Sequence, residues 1–263
     1  MAAKKQKKSY DERMAEYLAA AMVLAAENGD LRKLGTLLEA GADINGKDKY
    51  GEYPLHAACV KSTIETVKFL ISRGANPNRR SRSNATVLNW VCAQGKADLA
   101  RLLLEAGADP NIMSDVGKTP LHALCGAKTY NDNREIAQLL FSRGADVNAM
   151  GPDGETPLAT ACGVRQSEAV RDLLDHGADP NLGQRYGAAP LHRACRRDCA
   201  DVVRMLLEAG ADPNFRLDTG TTALDCAMKL PGDNPAREEI IDLFRQYAPE
   251  MVMERWCATG PGI

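Results

Sequence analysis

Gly107-Ala108-Asp109-Pro110-Asn111 is one of six copies of a phrase, Gly-Ala-Asp/Asn-x-Asn, that runs through this 263-residue chain. The others are Gly41–Asn45, Gly74–Asn78, Gly144–Asn148, Gly177–Asn181 and Gly210–Asn214, so the steps are 33, 33, 37, 33 and 33 residues. Self-similarity at this period marks a stack of supersecondary units, each too small to bury its apolar face alone. A second phrase keeps step with the first. It reads Tyr53-Pro54-Leu55-His56, Thr86-Val87-Leu88-Asn89, Thr119-Pro120-Leu121-His122, Thr156-Pro157-Leu158-Ala159, Ala189-Pro190-Leu191-His192 and Thr222-Ala223-Leu224-Asp225.

Local chemistry accounts for the spacing. Thr is a good N-cap, and Pro at the next position gives up only an N–H that has no helical partner there. Leu then begins an apolar stripe on a short first helix. A second helix follows, as in Ala100–Glu105 or Val202–Glu208, with paired leucines at helical spacing. Gly107 and its equivalents stand just past that helix, where a left-handed residue closes the last turn. Asp, Asn and Gly supply the next turn, as in Pro152-Asp153-Gly154.

The two phrases, in register over residues 14–249, resemble the ankyrin repeat, whose signature pairs Thr-Pro-Leu-His near its start with Gly-Ala-Asp-x-Asn near its end. The resemblance implies an all-α solenoid of stacked helix-turn-helix units with short hairpin loops. The chain divides into a basic tail at 1–13, an N-terminal capping half-unit at 14–47, and units at 48–80, 81–113, 114–150, 151–183, 184–216 and 217–249. Residues 250–263 form a C-terminal tail or capping segment. The last unit lacks the Gly-Ala-Asp phrase and ends in Ile240-Ile241-Asp242-Leu243-Phe244-Arg245, which suits a cap with one face to the stack and one to water.

Composition narrows the function. A net charge of −2 gives no overall attraction for nucleic acid. No apolar run approaches the roughly 20 residues that span a bilayer. The start is basic through Lys4, Lys5, Lys7 and Lys8, without the apolar segment of a signal peptide. The expected location is cytoplasmic, with a nuclear role for the basic start as the other option. Of eight cysteines, Cys59, Cys92, Cys125, Cys162 and Cys195 occupy one repeat position. Equivalent helices in a stack sit about 8–10 Å apart, too far for a disulfide or a shared zinc ion, so these read as small core residues. His56, His122 and His192 are likewise spread along the stack, and the resemblance implies that they hydrogen-bond the neighbouring turn. No cofactor, metal or catalytic constellation is expected.

In the family, hairpin tips and the exposed face of the first helix line a concave groove, so departures from the repeat there are the candidate partner-binding residues. Arg193, Arg196 and Arg197 are spaced i, i+3 and i+4 and share one helical face. The preceding tip adds Arg185 and Tyr186. Trp90 falls at the same register position as Arg193, near the tip residues Arg79, Arg80 and Arg82. Tyr50 and Phe215 lie on other tips. Arginine suits carboxylates and phosphates, and Trp, Tyr and Arg dominate interface hot spots.

The expected function is a non-catalytic protein-interaction module: a scaffold, adaptor or inhibitor, monomeric by itself, that holds an acidic or phosphorylated segment along the groove. One alternative is a host-directed bacterial effector, working in the host cytosol, or part of a modifying enzyme complex. The other is a substrate: Leu140 and Asp146-Val147-Asn148-Ala149 resemble the context that the asparaginyl hydroxylase of animal cells modifies, with Asn148 the target. Two irregularities stand outside the repeat, four extra residues around Lys128–Asn133 and a tail with Met251, Val252, Met253 and Trp256.

Overall fold

The computed structural model describes residues 9–82, 84–127, 130–151, 154–183 and 189–253. They form a solenoid of helix pairs. The first pair is α1 (Tyr10–Asn28) and α2 (Leu31–Glu39). There follow α3 (Pro54–Lys61) with α4 (Ile64–Ser72), α5 (Val87–Ala93) with α6 (Ala97–Glu105), and α7 (Pro120–Cys125) with α8 (Arg134–Ser142). Then come α9 (Pro157–Gly163) with α10 (Ser167–Asp175), α11 (Pro190–Arg196) with α12 (Ala200–Glu208), and α13 (Ala223–Met228) with α14 (Pro235–Tyr247).

The first helix starts earlier than the repeat register predicts. Ser9 Oγ accepts from Glu12 N–H at 3.1 Å while Glu12 Oε2 accepts from Ser9 N–H at 2.9 Å, a reciprocal capping box. Residues 10–13, expected in the tail, therefore belong to α1. Later first helices use the hydroxyl of the repeated Thr: Thr156 Oγ1 accepts from Ala159 N–H at 3.1 Å, and Thr222 Oγ1 from Asp225 N–H at 3.1 Å. Tyr53 and Ala189 stand where Thr is missing, and α3 and α11 have no side-chain cap there.

The core is a ladder. Leu88, Leu121 and Leu158 of the first helices and Leu70, Leu103, Leu140, Leu173 and Leu206 of the second are fully buried. Between units, the repeated Asn acts as a staple. Asn111 N–H reaches Asp109 Oδ1 at 2.8 Å within its own turn. Its amide donates to Gly144 O at 3.0 Å and accepts from Asp146 N–H at 2.8 Å in the next unit. The same pattern is made by Asn45, Asn78, Asn148 and Asn181. Gly-Ala-Asp-x-Asn is thus the stitching of the stack.

The four extra residues of unit 114–150 are only partly loop. Asn131–Asn133 form a 3-10 turn that leads into α8. Tyr130 is fully buried, and its hydroxyl donates to the buried Asp172 of α10 at 3.0 Å. Arg134 grips the same carboxylate through Nε, at 2.8 Å from Oδ2, and through Nη2. The insertion, which the sequence shows only as an irregularity outside the repeat, places a core residue; Lys128 and Thr129 lie outside the described residues. At the other end, residues 249–253 are helical, and Met251 and Val252 join the core cluster beyond α14. Trp256 lies outside the described residues. No described helix is long and apolar enough to cross a membrane.

Candidate functional site

The groove is made by two repeated features, the hairpin tips and the first helices. Each described tip is closed by a pair of backbone bonds. In unit 114–150 Gly117 N–H donates to Ser114 O at 2.9 Å and Ser114 N–H to Lys118 O at 3.0 Å. The tip needs a left-handed residue, which is Gly51, Gly117, Gly154 and Gly220 in four units and Asn84, with φ 52°, in a fifth.

His122 and His192 fasten their first helices to the next tip. His122 Nε2 lies 2.9 Å from the Glu155 carbonyl and must donate to it, so Nδ1 is the acceptor facing Thr119 Oγ1 at 2.8 Å. His192 Nε2 does the same with Thr221 O at 3.1 Å. Where His is replaced, Asn89 sends its amide to Lys118 O at 3.1 Å. Burial pushes all three histidines below their ordinary pKa, His56 to about 4 despite the opposing Ala85 carbonyl. All three histidines are buried under the groove floor, and His122 and His192 act as fasteners there.

The cysteines are equally structural. Cys59, Cys92, Cys125, Cys162 and Cys195 are fully buried free thiols, and burial pushes each well above the ordinary thiol pKa, Cys59 to about 12. Among the described residues, no three His, Cys, Asp or Glu side chains converge as a metal site would require.

Above this framework lies a cleft of about 640 Å³ walled by Lys118, Glu155, Arg193, Arg196 and Arg197, with Gly126, Thr160 and Gly163 among its other lining residues. Arg193 Nη1 binds Glu155 Oε1 at 2.7 Å, and Lys118 Nζ stands 3.3 Å from Glu155 Oε2. Burial pushes the Glu155 carboxyl up, but Arg193 and Lys118 outweigh it and hold the carboxyl below its ordinary pKa. Arg193 lies across Gly163, where a Cβ would stand 3.2 Å from Nη1. The lining carries four cations against one carboxylate, and Arg196 and Arg197 are both exposed.

A second cleft, of about 440 Å³, lies toward the N-terminal end of the same groove and shares Lys118 with the first. Val60, Trp90, Val116 and Ala123 form its apolar lining, with Glu52 and Asp115 also bordering it. Trp90 is half-buried, and Lys96 Nζ sits 4.5 Å from the centre of its ring. A third cleft continues toward the other end through Arg196, Leu217, Cys226, Lys229 and Leu230. The clefts join through shared residues into one trough.

A family model described as "Ankyrin repeats (3 copies)" matches residues 21–114, 88–183 and 121–217. The chain belongs to the ankyrin repeat family. Its structure resembles that of the human ASB11 ankyrin repeat domain, with a TM-score of 0.68 and 28% identity over 84% of this chain and 96% of that one. It also resembles the ankyrin repeat domain of Bcl-3, a member of the IkappaB protein family, with a TM-score of 0.70 and 26% identity over 85% and 97% of the two chains. Curated protein sequences give no match. Ankyrin repeat domains typically serve as protein-interaction modules.

Within this ankyrin stack the expected site residues separate. Arg193, Arg196 and Arg197 come together in the cationic cleft, and Trp90 lies in the apolar one. Arg79 and Arg82 are exposed on their hairpin. Arg80, expected to face a partner, instead ties neighbouring hairpins: its Nη1 donates to Asn84 O at 3.1 Å and Met113 O at 2.6 Å. Phe215, expected on an open tip, packs edge-on to His192 with ring centres 5.9 Å apart. Tyr50 is exposed, with Lys49 Nζ 4.8 Å from its ring centre. Arg185 and Tyr186 lie outside the described residues. Asn148 commits its amide to the staple with Gly177 O and Asp179 N–H, so a modifying enzyme would meet it only after that staple opens. Sequence reasoning missed Glu155 and Lys118, which come from tips of different units. Their charges are legible, but their convergence on Arg193 depends on how adjacent units stack.

Proposed function

We propose that this ankyrin protein is a non-catalytic interaction module whose concave groove holds an acidic segment of a partner protein. One observation carries the reading: the cleft beside α11 is lined by Lys118, Arg193, Arg196 and Arg197 but by a single carboxylate, Glu155. Glu155 is shared by Arg193 and Lys118, and Arg196 and Arg197 stand exposed on the rim, where an incoming anion reaches them. Arginine's planar fork donates two parallel N–H bonds to one carboxylate, and a concave site with low-dielectric walls concentrates its field.

The test is fluorescence polarisation with a fluorescein-labelled octaglutamate probe against the full chain. Binding that weakens steeply with salt, and by tenfold or more in Arg196→Glu/Arg197→Glu, is expected. Equal binding by the double variant would sink the proposal. A phosphoserine peptide of matched length gauges whether the cleft prefers phosphate to carboxylate.

A further inference from the structure

We infer that the groove reads a two-part segment: an apolar anchor seated against Trp90 and Val116, and an acidic cluster about 7–9 residues away beside Arg193, on the exposed Arg196 and Arg197. The inference rests on the acidic-segment reading of the cationic cleft and adds the partner's spacing and its second chemistry.

The two halves of the trough differ in kind. At the Trp90 end, Val60 of α3 is 42% exposed and Val116 of the next tip 62% exposed, on either side of the indole. Exposed branched side chains around a half-buried Trp form a patch that gains from being covered. Lys96 steadies the ring, because its Nζ lies 4.5 Å from the ring centre while donating to Cys59 O at 3.4 Å. The charged groups on this cleft are Glu52, Asp115 and Lys118, with Lys96 over the indole, so its charges balance, whereas the other cleft carries an excess of cations. An acidic stretch therefore gains little here and is attracted at the other end. Charge thus sets which part of the segment goes where.

The spacing follows from the repeat. Trp90 and Arg193 each stand two residues after the signature Leu, in units three apart. Stacked helices lie about 8–10 Å from one another, so these side chains root about 24–30 Å apart. An extended chain covers about 3.3–3.6 Å per residue, which gives 7–9 residues. The equivalent positions between them are Ala123 and Thr160, and nearby Gly126 carries no side chain. A backbone can run close along this middle stretch. Lys118 borders both clefts and makes the path continuous.

Four labelled peptides of equal length test the idea by fluorescence polarisation: tetraglutamate alone, and tetraglutamate with one Trp at three residues or at eight residues, the last in both chain directions. The expected result is that one eight-residue peptide binds at least tenfold tighter than tetraglutamate alone, and the three-residue peptide does not. Trp90→Ala and Val116→Asp should each erase that gain while leaving the tetraglutamate affinity unchanged. Val116 projects from a tip, so its variant keeps the fold even if loss of Trp90 disturbs packing. No gain from Trp at any spacing, or equal gain at three and eight, overturns the two-part inference while the acidic-segment reading stands. Tetraglutamate binding unaffected by Arg196→Glu/Arg197→Glu overturns the acidic-segment reading itself.

Discussion

Tyr130 and Asp172 meet across a unit boundary, the phenol hydroxyl 3.0 Å from Oδ2, with both side chains buried. Asp172 is 2% exposed, and the Arg134 guanidinium supplies its charge partner while itself lying half in solvent and also reaching Glu168 at 3.5 Å. Removing the cation strands a buried carboxylate, whereas removing the carboxylate returns an exposed-side cation to water. Arg134→Met should therefore destabilise the fold more than Tyr130→Phe does, and Asp172→Asn added to it should recover part of that loss. Tyr130→Phe keeps the ring and drops one of several donors, for about 1 kcal/mol. Urea midpoints of the three variants decide it; an Arg134→Met loss no larger than that of Tyr130→Phe would contradict the arrangement.

The buried histidines make stability depend on pH. Their native pKa values are lowered, so below the unfolded value near 6.5 the unfolded chain takes up protons that the native state refuses. The stabilisation is fully present above that value and is lost as pH falls toward the native pKa. For His56, at about 4, this amounts to about 3 kcal/mol, of which about 2 is gone by pH 5. Asn89 already fills the equivalent position in another unit, so His56→Asn should fold and show a shallower fall in urea midpoint between pH 7.5 and 5. Identical slopes for the variant and the wild type would refute this.

The staples should be unequal in worth. Asn111→Ala removes a donor to Gly144 O and an acceptor for Asp146 N–H across the longest unit. These groups remain partly wet, so the expected cost is about 1–2 kcal/mol. Asn214 holds its turn through Asp212 Oδ1 but has no following Gly-Ala-Asp phrase to stitch. Asn214→Ala should cost less than half as much in the same denaturation experiment.

What could be read from the chain depends on how locally each contact is encoded. Thr156, Pro157 and Gly144 declare caps and turns within a few residues of themselves, so the helix pairs and the register are visible without coordinates. The Ser9–Glu12 capping box was equally local, but it lies upstream of the first repeat and the period drew the boundary too late. Arg80 and Arg193 are different. Both look like free cations in the sequence, and their partners, Met113 O and Glu155, stand 33 and 38 residues away in neighbouring units. Tyr130 hides for the same reason, since only the stack shows that an inserted residue turns inward to Asp172.

The last unit closes with residues 249–253, and this end should behave as part of the fold. Met251 sits in the core cluster that includes Ile240 and Phe244, whereas Met253, two residues on, is 66% exposed. A carboxylate at the first position would be desolvated without a partner, and at the second it would stay in water. Met251→Asp should cost about 2–4 kcal/mol and Met253→Asp under about 0.5 kcal/mol. Because each unit of a solenoid leans only on its neighbours, the damage should be graded along the stack. Hydrogen exchange in Met251→Asp should quicken most in α13 and α14, less in α12, and not at all in α5 or α7. Uniform acceleration through the chain would mean that the stack melts as one cooperative block, and equal losses at the two methionines would remove residues 249–253 from the cap.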